Sequence, residues 1–438
     1  MKRLGAPILI AAAIAVVALV ESSSRGALPR SFTPRFQVLP RSAKVFIGNG
    51  LQFHSTLVGA TQQPRVRWSV VGPGSIDGNG LYRSPDVPAT ADVVGSAGGG
   101  ITDSVSVSSV KAPSLGQPML LATCYEDGTL NVYDAGSRAL MGALSVGGRT
   151  AGIRVDNKAH RAILAVDTQL IAVDLATMRW RASVPLAGAR FSEVALLWGG
   201  YVAVTDNLAE PGHPGVRIFR INGSGVPVLV SSVAAGETPE GITPADGGRT
   251  FYVTAINSNR VMRFALDSHG VARQTGSVRT AARPFGVGVD PVHHLLFVAD
   301  NDTATVNGER ANPGLERFSL PSMRRIGAIV STGSKASLPL GVAVDSLQSR
   351  LFVTNEGLAN VAVFAIPSLR RIANLPAALT PWLPFLDQNR HRLYVPNARA
   401  NSISIFDTVS LRAVASAVPT CSYPTSLAMY DGSGLRGR

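Results

Sequence analysis

The fold is decided by Pro339-Leu-Gly-Val-Ala-Val-Asp345, followed by Arg350-Leu-Phe-Val-Thr-Asn355 and by Val361-Ala-Val-Phe364. Each run is short, apolar and bounded by turn residues, which is typical of strands joined by tight connections. The same unit recurs with its Pro, Gly and Asp in the same order. Copies begin at Pro239, Pro284 and Pro381, and degenerate copies begin at Ala151 and Phe191.

The aspartate after the first strand of the unit measures the repeat. From Asp156 to Asp431 there are 275 residues in six intervals, about 46 residues each. The longest interval contains an inserted loop at Asn301–Pro313. Four short strands in about 46 residues are typical of one blade of a β-propeller.

The two ends of the repeat region complete each other. Met119-Leu-Leu-Ala-Thr123 matches the second strand of the unit, whereas its missing first strand appears as Pro424–Asp431 at the C-terminus. The sequence therefore predicts seven blades over residues 117–438, closed by the last strand, which leaves no open sheet edge. The repeat resembles the YVTN-type β-propeller family in the strand Phe352-Val-Thr-Asn355. That resemblance implies the fold and leaves the activity open, because such propellers serve many functions.

Residues 36–112 have a different pattern, with alternating runs such as Val66-Arg-Trp-Ser-Val70 and Ser104–Val110. Period two indicates strands with one buried face, and we expect Trp68 to be the core aromatic residue of a central strand. Trp68-Ser-Val70, Gly74-Ser-Ile-Asp77 and Gly80-Leu-Tyr82 resemble bacterial Ig-like (group 2) domains. That resemblance implies a β-sandwich that acts as a spacer or adhesive module. The predicted fold class is all-β: an Ig-like sandwich followed by a seven-bladed propeller.

The N-terminus has a basic start, Lys2-Arg3, and an unbroken apolar run of 13 residues from Ile8 to Val20. This run is short for a membrane span and predicts a signal peptide over residues 1–24, with an uncleaved N-terminal anchor as the alternative. Residues 25–35 are predicted to be a linker. The bulk of the chain is therefore expected outside the cytoplasm, whether secreted, periplasmic or on the cell surface.

Two cysteines fall at neighbouring strand ends of the first blade. The repeat register places Cys124 at the end of its second strand, and Cys421 lies three residues before the strand that completes the blade. An oxidising compartment favours a disulfide between them, and two unpaired buried thiols are the alternative.

One face of the propeller collects the loops that enter the first strands and those that follow the second strands. Phe285 and Trp382, with Leu340 and Tyr423, are expected to form an apolar floor at the channel mouth. Polar residues expected at the same face are Asp206, Glu240, Asp300, Asn355 and Asn397. The carboxylates could coordinate a divalent cation or polarise a substrate, and the repeated Asn and Asp could instead cap turns by bonding their own backbone. No cofactor is predicted.

The net charge is +13, and 36 of the 41 basic residues are arginines. Several arginines recur at blade turns, such as Arg249, Arg350 and Arg392, and most are expected to be solvated hairpin residues. The functional alternative is attraction to an anionic surface such as a wall polymer, lipid headgroups or an acidic polysaccharide. A nucleic acid partner is not expected, because no recognition motif is present. The sequence favours a monomeric, non-catalytic binding or scaffold protein of the envelope, whose partner is an envelope protein or an anionic polysaccharide. The alternative is a lactonase-like hydrolase or a metal-assisted lyase at the channel mouth.

Overall fold

The computed structural model describes residues 35–41, 43–58, 65–208, 213–302, 304–306, 309–311 and 313–432. The predicted leader and all but the last residue of the predicted linker lie outside these residues. Within them the chain forms forty strands and five 3-10 turns but no α-helix, so the predicted all-β class is confirmed. In this described part, no helix has the length and apolar character needed to cross a membrane.

The first nine strands form an N-terminal unit with a core of its own. They are β1 (Arg35–Leu39), β2 (Ala43–Phe46), β3 (Gly50–Gln52), β4 (His54–Val58), β5 (Arg67–Val71), β6 (Ser75–Ile76), β7 (Leu81–Arg83), β8 (Ala89–Ser96) and β9 (Thr102–Val110). β1 pairs with β4, β3 and β6 pair with β7, and the remaining four follow the order β2-β9-β8-β5.

Side chains from these strands meet in one hydrophobic core that includes Val38, Phe53, Tyr82 and Val93. Successive residues of a strand point to opposite faces, and β8 and β9 therefore bury every second side chain along much of their length. The prediction that Trp68 lies in a central strand is wrong. Among the described strands, β5 is at the edge of its sheet and pairs only with β8, so Trp68 packs half-buried at the margin of the core.

Seven blades follow in the described residues, and blades 2 to 7 each lie within one repeat of the sequence, whereas blade 1 takes its innermost strand from the C-terminus. Blade 1 contains β10 (Met119–Cys124), β11 (Thr129–Asp134) and β12 (Leu140–Ser145). Blade 2 contains β13 (Thr150–Asp156), β14 (Arg161–Val166), β15 (Gln169–Asp174) and β16 (Arg179–Ala182). Blade 3 contains β17 (Phe191–Leu196), β18 (Tyr201–Asp206), β19 (Val216–Ile221) and β20 (Pro227–Val233). Blade 4 contains β21 (Pro239–Ala245), β22 (Thr250–Ala255), β23 (Arg260–Leu266) and β24 (Ala272–Arg279).

The later blades keep this plan with two variations. Blade 5 contains β25 (Pro284–Asp290) and β26 (Leu295–Asp300), a hairpin of β27 (Ala304–Val306) and β28 (Glu309–Ala311), then β29 (Gly314–Ser319) and β30 (Val330–Ser331). Blade 6 contains β31 (Pro339–Asp345), β32 (Arg350–Asn355), β33 (Asn360–Ala365) and β34 (Arg371–Pro376). Blade 7 contains β35 (Phe385–Asp387), β36 (Arg392–Asn397), β37 (Ser402–Asp407), β38 (Arg412–Ala413) and β39 (Val418–Pro419), and the last two both pair with β37.

The final strand, β40 (Pro424–Tyr430), joins the two ends of the ring. It pairs antiparallel with β10, so that Met119 lies opposite Tyr430, and it supplies the innermost strand of blade 1. The predicted disulfide is confirmed: Cys124 bonds to Cys421 across 297 residues of sequence, with the two Cα atoms 5.7 Å apart. The bond ties the second strand of blade 1 to the segment that leads into β40.

The repeated Thr and Gly of the sequence motif hold neighbouring blades together. Thr354 Oγ1 accepts a hydrogen bond from the Gly341 amide of its own blade at 2.9 Å and donates to the Trp382 carbonyl of the next blade at 2.7 Å. The same pair of bonds is made by Thr123, Thr205 and Thr254. A Cβ on Gly341 would lie 2.2 Å from Pro384 Cδ, so this close approach of blades requires glycine.

The N-terminal unit is joined to blade 1 through a shared sheet. β2 pairs in parallel with β12, where Val45 lies opposite Ala143, and the blade sheet thereby continues into β9 and β8. Lys44 Nζ donates to the Leu140 carbonyl at 3.0 Å. The side chain of Arg179 in blade 2 also donates to the Gly48 carbonyl. The unit is therefore held over blades 1 and 2.

Candidate functional site

The first strands of the blades line a central channel with a cavity of about 280 Å³. Most of its lining residues are apolar or glycine, and its polar side chains are Arg154, Glu193, Gln388 and Ser426. At the third position of the first strand, blades 2, 4, 5 and 6 carry glycine, whereas blade 3 carries Glu193. A Cβ on any of these glycines would lie within 3 Å of the next blade, so the glycines allow the close approach of neighbouring blades.

Arg154 and Glu193 form an ion pair inside this channel. Arg154 Nη2 lies 3.4 Å from Glu193 Oε2, and Arg154 Nη1 donates to the Ile153 carbonyl at 2.6 Å. Burial raises the pKa of Glu193 to about 7; the guanidinium of Arg154 lowers it, and the nearby carboxyl of Glu240 raises it further. Near neutral pH this carboxyl therefore exists in both the acid and the carboxylate form, which suits proton transfer.

Glu240 lies beside this pair but is fully engaged. Its Oε1 accepts the Ser192 hydroxyl at 2.5 Å, and its Oε2 accepts Asn207 Nδ2 at 2.9 Å. Burial raises the pKa of Glu240, and the hydrogen bonds from Asn207 and Ser192 oppose that change. Glu240 therefore joins blades 3 and 4 at the mouth of the channel.

Four aromatic rings form a row of contacts at the channel mouth. The centroid distances are 5.9 Å from Phe285 to Trp382, 6.2 Å from Trp382 to Tyr423 and 6.0 Å from Tyr423 to Tyr125. The guanidinium of Arg149 lies 5.7 Å from the centroid of Tyr125. All four rings are partly exposed. We call Phe285, Trp382, Tyr423 and Tyr125 the aromatic row.

The backbone positions Tyr423 in this row. Tyr423 has a φ of 55°, and its amide donates to Asn401 Oδ1 at 3.0 Å. Its carbonyl accepts the amide of Tyr125 at 3.0 Å, next to the disulfide. Left-handed backbone is uncommon at non-glycine residues and is kept where surrounding contacts enforce it. The closure of the ring therefore also orients the two tyrosines of the row.

Asp206 is buried inside blade 3, where its carboxylate is surrounded by donors. Asp206 Oδ1 accepts the Arg190 amide at 2.8 Å, whereas Oδ2 accepts His213 Nε2 at 2.7 Å and Arg217 Nη2 at 3.0 Å. Asp206 thus ties His213 and the third strand, β19, to the second strand, β18.

Asn355 and Asn397 hold equivalent positions in blades 6 and 7. Asn355 Nδ2 donates to the Thr332 carbonyl at 3.0 Å and to Asn360 Oδ1 at 2.8 Å. Asn397 Nδ2 donates to the hydroxyls of Ser402 and Ser404. Asn355 thus bonds within blade 6 and to the connection from blade 5, Asn397 bonds within blade 7, and neither amide lines the channel cavity.

Among the polar residues that the sequence predicts at the channel mouth, Asp300 has the most unusual surroundings. It is 1% exposed and lies near Glu316 of the adjacent strand. Burial, followed by the charge of Glu316, raises the pKa of Asp300 well above its ordinary value, and Arg325 opposes the change. Arg325 is ion-paired with Glu316. Asp300 and Glu316 thus form a buried carboxyl pair inside blade 5, in which Arg325 is bound to Glu316, and neither carboxyl group lines the channel cavity.

The structure therefore brings Phe285 and Trp382 together with Tyr423 and places Glu240 beside the channel. Sequence reasoning missed Glu193, Arg154 and Tyr125. The repeat does carry a signal for Glu193, because a carboxylate stands where other blades carry glycine. Within the described residues, no three His, Cys, Asp or Glu side chains are grouped so that they could hold a metal ion.

Comparison with known proteins identifies the fold. No protein-family model matches the chain, and neither does any curated protein. Among solved structures, a protein from Lactobacillus plantarum is 15% identical with a TM-score of 0.59 over 72% of this chain and 99% of its own. A periplasmic gluconolactonase from Pseudomonas aeruginosa is 12% identical with a TM-score of 0.57 over 71% of this chain and 98% of its own. A protein of unknown function from Desulfotomaculum acetoxidans has the same TM-score at 14% identity, over 71% of this chain and 98% of its own. At these identities the likeness concerns the propeller fold alone.

Proposed function

We propose that this chain is an extracytoplasmic, non-catalytic binding or scaffold protein of the cell envelope, which docks a partner protein on the aromatic row. The observation that carries the proposal is the row itself. Four partly exposed rings contact one another at the channel mouth, with Arg149 over the last of them. Trp, Tyr, Phe and Arg are the residue types enriched at the centre of protein interfaces.

The remaining parts of the chain fit such a role. A disulfide persists in oxidising compartments, and the apolar N-terminal run of the sequence would serve as a signal peptide or an anchor. Residues 36–112 would act as an Ig-like spacer beside a propeller that spans residues 117–438. The protein would act as a monomer without a cofactor, and the partner would be an envelope protein or, for the charged surfaces, an anionic polysaccharide.

The test is capture from an envelope extract by three immobilised proteins. The mouth variant carries Phe285→Ala and Trp382→Ala, which remove rings without touching a left-handed residue. The control variant carries Val292→Ala and Leu347→Ala, which trim two exposed apolar side chains on the hairpins of the opposite face. We expect a species captured by the wild type and the control to be lost by the mouth variant. Equal capture by all three proteins would reject the aromatic row as the docking site.

One observation favours a second candidate, a lactonase-like hydrolase. Glu193 has a pKa of about 7 and lies beside Arg154 in the channel, so its carboxylate could take a proton from water while the guanidinium stabilises an oxyanion. One solved structure with this fold is described as a periplasmic gluconolactonase. In this case the protein would hydrolyse δ-gluconolactone above the spontaneous rate, and Glu193→Gln would return the rate to the background. A wild-type rate at the background would remove this candidate.

A further inference from the structure

A second cavity lies outside the channel, between the N-terminal unit and blades 1 and 2. Its volume is about 1010 Å³, at the upper end of the range of about 300–1,000 Å³ for ligand sites. The wall includes β3 and β7 on one side and the loops of blades 1 and 2 with β16 on the other. Boundaries between units are a common location for binding sites. We call this cavity the interdomain cleft.

The cleft is lined by four arginines and by four acidic residues, which are Asp86, Glu126, Asp127 and Asp167. Arg83, Arg149, Arg179 and Arg181 all line it and are exposed. In the described part of the chain, Arg83, Arg149 and Arg181 form no ion pair, whereas Arg179 pairs with Asp86 at 3.3 Å. Three guanidinium groups from two parts of the chain therefore line one space without a direct ion pair to the carboxylates that line it with them.

The acidic side chains of the cleft already have partners. Asp127 Oδ2 accepts the Ser422 amide at 2.7 Å, and Glu126 Oε2 accepts the Ser422 hydroxyl at 2.7 Å. Asp167 Oδ2 accepts the Arg149 amide at 3.0 Å. Burial also raises the pKa of Asp127, which favours its neutral form. These hydrogen bonds fix the carboxyl groups in place without removing their charge, so an anionic ligand would be held by the three arginines that form no ion pair within the described residues.

The rest of the lining suits an extended polar chain better than a small ion. Trp180 and Leu81 offer partly exposed apolar surface, and Asn49, Gln52 and Ser84 line the same cavity. Arginine forks bind carboxylates through two parallel hydrogen bonds, so several arginines along one cleft match a polymer with repeated charges. The net charge of +13 would also draw such a polymer to the protein.

We propose that the interdomain cleft binds a linear polysaccharide that carries carboxylate groups, held by Arg83, Arg149 and Arg181. The inference rests on the proposed envelope role, because the envelope would supply the polymer. It does not depend on the aromatic row, because the proposed site is the interdomain cleft. Arg149 connects the two surfaces, since its guanidinium covers Tyr125 at the end of that row while its side chain lines the cleft. A polymer in the cleft would thus lie next to the partner docked at the channel mouth.

The experiment measures binding of polygalacturonate to the full chain in low salt. The cleft variant carries Arg83→Gln, Arg149→Gln and Arg181→Gln. A charge-matched control carries Arg273→Gln, Arg370→Gln and Arg412→Gln, which are exposed arginines of other blades. We expect the wild type and the control to bind within twofold of each other, and the cleft variant to lose at least tenfold in affinity. Binding should weaken at 300 mM salt, and neutral dextran should not bind.

Several results would overturn the proposal. Equal losses in the cleft variant and the control would indicate a diffuse charge effect, and tighter binding of inorganic polyphosphate or a DNA oligonucleotide would reject a polysaccharide. Single Arg83→Gln and Arg181→Gln variants, each expected to lose at least twofold, provide a second test if the triple variant folds poorly. The mouth variant, Phe285→Ala with Trp382→Ala, should bind polygalacturonate like the wild type. Loss of capture at the mouth with intact polygalacturonate binding therefore separates the two proposals.

Discussion

Replacing Glu193 with Gln tests the description of the channel through the pH dependence of stability. The folded carboxyl has a pKa of about 7, whereas its ordinary value is 4.5. Between these two pH values the folded protein retains a proton that the unfolded chain has lost. Stability therefore falls as the pH rises through this window, is unaffected by this group below it, and levels off above it.

The expected magnitude follows from the two pKa values. Each pKa unit corresponds to about 1.36 kcal/mol, so the change from 4.5 to about 7 makes the ionised folded state about 3 kcal/mol less stable. The amide side chain of the Glu193→Gln variant cannot ionise, so that protein lacks this loss. Relative to the wild type, the variant should gain about 3 kcal/mol of unfolding free energy between pH 4.5 and pH 8, as calculated from the same values.

The assay is urea unfolding of both proteins at half-unit steps from pH 4.5 to 8. Subtracting the wild-type curve from the variant curve removes the contributions of other titrating groups. Arg154→Gln is the matched control, because it removes the cation that lowers the pKa of Glu193 and should move the wild-type transition to higher pH. A difference curve that is flat across this window would refute the buried, proton-binding carboxyl in the channel.

Three further predictions concern the contacts between blades and the disulfide that closes the ring. Thr354→Val should cost about 2 kcal/mol of unfolding free energy, because it leaves the Gly341 amide and the Trp382 carbonyl without their bridging hydroxyl, and Thr354→Ser should restore most of it. Gly341→Ala should lower the midpoint of thermal unfolding, because the added Cβ would meet Pro384. Gly223→Ala is the control, because a Cβ at Gly223 would point into open space. Equal midpoints for the two variants would contradict the packing role of Gly341. The denatured, unreduced protein should give no free thiol in a thiol titration, and two thiols per chain would disprove the disulfide. In the chain-entropy model, Cys421→Ser should lower the unfolding free energy by up to about 5 kcal/mol.

The fold could be predicted because its signals are local and repeated. Period-two apolar runs define the strands, and the aspartate after each first strand caps a hairpin, as Asp345 does by accepting the Gln348 amide. Alignment of the repeats then places Cys124 and Cys421 on neighbouring strands. The edge position of Trp68 was not predictable in this way, because period two reveals a buried face but not the order of strands in a sheet.

The candidate site was only partly predictable, for geometric reasons. Phe285 and Trp382 occupy one repeat position, so their joint presence at the channel mouth follows from the register. Tyr125 lies just outside a strand, and its place depends on the local backbone beside the disulfide. Arg154 and Glu193 belong to degenerate repeats, and their ion pair appears only when blades 2 and 3 are placed side by side.

The central claim is that the aromatic row docks a partner. The most direct test compares the affinity of the captured partner for the wild type with its affinity for the mouth variant, Phe285→Ala with Trp382→Ala. Ring deletions at the centre of an interface typically cost at least about 2 kcal/mol, which is about 30-fold in affinity. We predict a loss of that size for the mouth variant and less than twofold for the Val292→Ala, Leu347→Ala control. Equal affinities for the wild type and the mouth variant would contradict the claim.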